Sequence, residues 1–147
     1  MMHEEAQLVI MLRNSATGFL ETEYAAMPLA EIGETEALLV NVFAAQGEGG
    51  VNIHMKVSTP EDVANWQYNA IYDYYDTEVF ARDAASVLEV EDVVNPTWEI
   101  VFAWADAERG GAELARKVRA MLEIHRAELD DTLRVIADKE GDYADGV

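Results

Sequence analysis

The sequence predicts an α+β domain, a single antiparallel twisted sheet of about six strands in the order ββββ-α-ββ-α with two main helices packed on one face. Three observations predict it. The first 58 residues alternate apolar and polar side chains in segments separated by turn residues, the residue chemistry changes to that of a helix start at Thr59-Pro60-Glu61-Asp62, and the last third carries one long apolar stripe at helical spacing.

The elements follow in order. Gln7–Arg13 is β-rich, Asn14-Ser15-Ala16-Thr17-Gly18 has turn chemistry, and Phe19–Met27 alternates well enough to return as a second strand. A loop with Pro28 and Gly33 leads to Ala37–Gln46, the tight turn Gly47-Glu48-Gly49-Gly50 and Val51–Ser58. In that last strand Val51, Ile53, Met55 and Val57 share one face, while Asn52, His54, Lys56 and Ser58 share the other. A Thr N-cap, Pro at the first helical position and acids in the first turn predict a helix from Pro60 to about Tyr75. Its polar stripe is Asp62, Asn65, Asn69, Asp73 and Asp76. The rest of its surface, including Val63, Trp66, Ile71, Tyr72 and Tyr75, is apolar over so wide an arc that a second helix or a second subunit must cover it. Val87–Val94 reads as a modest strand. Thr97–Ala105 reads as a central one, with Trp98, Ile100, Phe102 and Trp104 on one face. Gly110-Gly111 opens a helix to about Asp138, whose stripe contains Leu114, Val118, Met121, His125 and Leu129, with i,i+4 charge pairs such as Arg119–Glu123 and Arg126–Asp130 on its back. Residues 1–138 are expected to fold as one unit, and the acidic tail 139–147 to stay without order.

Composition excludes several classes of function. The 147 residues contain no cysteine, which removes disulfides, thiolate nucleophiles and cysteine-based metal centres. Ten basic residues against 29 acidic ones give a net charge of −19, a field that repels phosphate backbones and anionic membranes. Over half of that excess lies in residues 59–106, which carry 11 acids and one base. The N-terminus is acidic where an export signal is basic, and the apolar run Ile100–Ala105 is far below the roughly 18 residues of a membrane span, so the expected location is the cytoplasm, with no membrane and no nucleic-acid partner. Dinucleotide, phosphate-loop, zinc-protease and nucleophile-elbow patterns are missing, and no cofactor or metal is expected.

Chemistry-bearing residues are few. His3 lies near the terminus, and His125 sits inside an apolar stripe as a packed core or interface histidine. His54 lies on the polar face of its strand, but Ser58 is about 13 Å further along, out of reach for base-assisted attack. A useful partner for His54 would have to come from a neighbouring strand. Tyr72-Asp73-Tyr74-Tyr75-Asp76 concentrates rings and carboxylates, a composition that suits a cationic amine. The resulting first reading is a non-enzymatic interaction module working as a homodimer, with Leu114, Val118, Met121, His125 and Leu129 at the interface. The alternative is a binding protein or enzyme for a small molecule such as an amine. Its pocket between sheet and first helix would use Trp66, Tyr72, Tyr75, Trp98 and Trp104 as walls and His54, Asp73 and Asp76 as polar anchors.

Overall fold

A computed structural model describes residues 6–47, 50–104 and 111–144. His3, the turn tip at 48–49, Ala105, Gly110 and the last three residues lie outside the described residues. The fold is α+β, built on one six-stranded sheet. Its elements in chain order are β1 (Gln7–Arg13), β2 (Leu20–Pro28), α1 (Leu29–Ile32), a 3-10 turn (Gly33–Leu38), β3 (Leu39–Gly47), β4 (Gly50–Ser58), α2 (Asn65–Tyr74), a 3-10 turn (Thr77–Phe80), β5 (Ser86–Glu89), β6 (Thr97–Trp104), α3 (Gly111–Ile136) and α4 (Glu140–Ala144).

The strands lie in the order β2-β1-β3-β4-β6-β5, and the sheet is mixed rather than purely antiparallel. Three antiparallel pairs, β1/β2, β3/β4 and β5/β6, stand side by side. The seam between the first two is parallel and short, joining Met11 to Phe43, Leu12 to Ala44 and Arg13 to Ala45. The expected order ββββ-α-ββ-α also lacks the helical crossover between β2 and β3. Ile32 and Leu38 are buried there, and the Thr35 hydroxyl donates to the Ile32 carbonyl at 2.6 Å, so residues 29–38 pack as structure rather than as a loop. That crossover carries the chain past β1, and β3 therefore enters alongside β1 in the same direction.

The first hairpin closes on Asn14, whose side-chain oxygen accepts from the amides of Ala16 and Thr17, with Gly18 at φ +81 completing the turn. The helix expected from Pro60 begins at Asn65 instead. Asn95 accounts for the delay: its side chain accepts from the Val63 amide at 3.1 Å and donates to Asp62 at 3.0 Å, holding the lead-in against the β5–β6 loop. The Gln67 side chain then caps the Ala64 amide at 2.8 Å.

All helical segments form one layer. The segments α1, α2 and both 3-10 turns touch α3, while α4 touches α2. The core lies between this layer and the sheet face that carries Ile53, Met55, Val57, Trp98, Ile100 and Phe102. The start of α3 sits so close to β2 that a Cβ on Gly111 would overlap the Ala26 carbonyl, and only glycine fits there. Among the described residues, α3 makes the i,i+3 pairs Arg126–Glu123 and Arg134–Asp131 and reaches other segments through Arg126–Glu34, Arg116–Glu31 and Lys117–Asp83, in place of the expected Arg119–Glu123 and Arg126–Asp130. Within the tail expected to lack order, α4 is fixed by the Tyr143 hydroxyl donating to Asp73 at 2.7 Å and by the Lys139 ammonium over the Tyr74 ring.

Candidate functional site

The structure separates the residues singled out in the sequence into two groups on opposite faces of the sheet. Beneath the helices, Tyr75 stacks on Trp98 with ring centres 4.0 Å apart, Tyr72 meets Trp98 edge-on at 5.4 Å, and His125 packs against both Tyr75 and Trp98. The polar atoms here engage one another. His125 Nε2 lies 2.8 Å from the Ser58 carbonyl, which can only accept, so Nε2 carries the proton and Nδ1 accepts from the Tyr75 hydroxyl at 2.8 Å. Burial lowers the His125 pKa to about 4 against the opposing bond to Ser58, and the ring is neutral near pH 7. Burial likewise raises the Tyr75 hydroxyl and pushes Tyr72 up to about 12, the latter held between the Val90 carbonyl and the Thr97 backbone. Ser58 donates to the Pro96 carbonyl at 2.6 Å. Among the described residues, the buried Trp98 indole N–H has no hydrogen-bond acceptor, a cost offset by the area the ring buries.

This group occupies the place where a pocket between sheet and first helix was expected, and it is filled by its own rings. Trp66 lies half-buried at the edge of the same core, and Trp104 meets Phe102 edge-on near the far end of β6. Asp73 accepts from Tyr143, while Asp76 caps the following 3-10 turn through the Glu78 amide; both face outward and neither points at the rings. The proposed interface residues Leu114, Val118, Met121, His125 and Leu129 are all buried in the chain's own core, so α3 presents them to the sheet and not to a partner. The wide apolar arc of α2 is likewise covered from within, by α3 and α4. Among the described residues no cluster of three or more His, Asp or Glu is placed to hold a metal.

His54 is on the other face, which no described helix covers. Its ring lies parallel to Phe43 at 4.8 Å, the Arg13 guanidinium sits 5.0 Å over the opposite strand's Phe43 ring, and His54 Nδ1 is 3.5 Å from a Glu99 oxygen. A ladder Arg13–Phe43–His54–Glu99 therefore crosses four adjacent strands. Sequence reasoning missed Phe43, Arg13 and Glu99. The hairpin turn carries a signal that would have found the first of them, because pairing Gly47 with Gly50 sets Phe43 opposite His54. The register also places Glu23, Met11, Phe43, His54, Val101 and Ser86 in one row across the sheet, with Lys56 beside Glu99 in the next.

No described helix is long and apolar enough to cross a membrane. No curated protein and no solved structure matches the chain. A family model described as "Family of unknown function (DUF6762)" matches residues 2–144, and the chain therefore belongs to that family.

Proposed function

We propose that the protein is a non-enzymatic interaction module that forms a homodimer through the uncovered face of its sheet. One observation carries this reading: the row Met11–Phe43–His54–Val101 is half-buried and largely apolar, yet no described helix lies over it. Charge supports the same face. Arg13 and Lys56 offset Glu23 and Glu99 there, which makes it a neutral patch on a molecule of net charge −19, the kind of surface on which two like-charged copies can meet. Its size also fits. Six strands at about 4.8 Å spacing and about 25 Å of strand length give roughly 700 Å², close to the ~800 Å² that each partner buries in a standard interface.

An amine pocket under α2 is the weaker reading, because Tyr75, Trp98 and His125 fill that volume with stacked rings and the Tyr75 hydroxyl is committed to His125. Light scattering on the purified protein at micromolar concentration tests the dimer. The expected result is twice the chain mass for the parent and a folded monomer for Val101→Glu, which places a charge in the middle of the row. A monomeric parent would end the proposal, and a dimer untouched by Val101→Glu would remove the open face as its seat.

A further inference from the structure

A second surface, at the rim of the sheet, has features of a different recognition mode. Strand β5 is an edge strand, paired on one side with β6 in unbroken register and on the other with no described strand. Counting back from the bond of the Val90 amide to the Thr97 carbonyl, the antiparallel alternation turns the N–H and C=O groups of Val87 and Glu89 away from β6. The opposite edge is managed differently. There β2 carries two register shifts against β1 and exposes Glu21 and Glu23, the usual protection against strand addition. Strand β5 has no such break and exposes Leu88 to 62%.

Beside β5, on the helix side, runs an open recess of about 220 Å³ floored by Phe80, Ala81, Ala84 and Val87 and walled by Glu78. Thr77 and Ser86 also line it, so the recess offers some apolar contact from Phe80, Ala81, Ala84 and Val87 to the stem of a lysine or arginine and polar groups, with the Glu78 carboxylate, to its charged head. Residues 76–92 around it contain six acids and one base, Arg82. Asp76 caps the 3-10 turn and Asp83 faces Lys117 at 3.9 Å, while Glu78, Glu89, Glu91 and Asp92 are exposed.

We infer that the outer edge of β5 binds an extended, basic segment of a partner protein by strand addition. The partner's backbone bonds to Val87 and Glu89, its cationic side chains lie in the recess against Glu78 and Glu89, and its alternate apolar side chains cover Leu88. A second copy of this chain does not suit the edge, because joining two β5 strands would bring the same acids face to face. The backbone edge and the recess lie outside the open face, and the inference meets the proposed dimer only at Leu88, which stands opposite Glu99 at the margin of that face.

The test is a backbone-amide NMR titration of the full chain with the peptide acetyl-Lys-Val-Lys-Val-Lys-Val-Lys-amide at low salt. Expected are shifts centred on Val87–Val90 and binding that weakens with added salt. Loss of binding is expected when the peptide is N-methylated at alternate residues or when Glu replaces its Lys, and about a threefold weakening for each charge removed in Glu78→Gln and Glu89→Gln. Shifts confined to α3 or to the row around His54, equal binding by the N-methylated peptide, no binding at millimolar peptide, or full affinity in the doubly substituted chain would each overturn the inference. Concentration-dependent shifts at the same amides without peptide would make a second copy the occupant and overturn it as well.

Discussion

His125 shows how one residue can set the response of the molecule to acid. Its Nε2 proton is committed to the Ser58 carbonyl and its Nδ1 lone pair to the Tyr75 hydroxyl, so a second proton would have to break the bond to Tyr75 and place a charge among aromatic rings. The native pKa of about 4 lies below the ordinary value of 6.5, which fixes the sign. The contribution is fully present above pH 6.5 and is lost as pH falls through the native value, because the unfolded chain binds the proton first. The expected loss is about 3 kcal/mol between those limits. Urea midpoints measured from pH 7 to pH 4 check this, and a flat profile across that window would show that the ring is not neutral and buried as described.

At the level of elements, the parallel seam between β1 and β3 is the weakest join in the sheet. It spans three residue pairs, whereas β4 and β6 pair over eight. The β1/β2 hairpin is also held by α3, through the tight contact of Gly111 with Ala26. Opening of that hairpin is expected below the global unfolding free energy. Hydrogen exchange should show the β2 amides exchanging well ahead of those in β4 and β6, and equal protection across all six strands would contradict it. The sequence made some elements legible and not others, for physical reasons. Strand β4 was readable because its alternation reflects a buried and an open face, and α3 because a long stripe on one side of a helix has one reading. The direction of β3 was not readable, since placing it beside β2 or beside β1 satisfies the same alternation. The start of α2 was misread because the local cue at Pro60 loses to a side chain, Asn95, that is remote in sequence. The same limit applied to the candidate sites. The sequence placed Tyr72, Tyr75 and Trp98 on inward faces, but their interlocking depends on how α2, α3 and β6 meet, and the ladder through His54 depends on strand order.

For the whole molecule, the dominant fact is a charge of −19 distributed around a one-sided sheet. Self-repulsion opposes folding, and added salt screens it over a distance of about 10 Å at 0.1 M. The melting temperature is therefore expected to rise with sodium chloride, most steeply at low concentration, and a fall or no change would show that the acids are balanced locally by ion pairs such as Arg126–Glu34. The layering has a further consequence for biosynthesis. Every strand precedes α3 in the chain, so on the ribosome all six strands emerge before the helix that shields their greasy side. Until residue 136 has left the exit tunnel, the nascent sheet has only the short segments α1 and α2 and the two 3-10 turns to cover Ile53, Met55 and Ile100, and this interval is when a chaperone would be most needed.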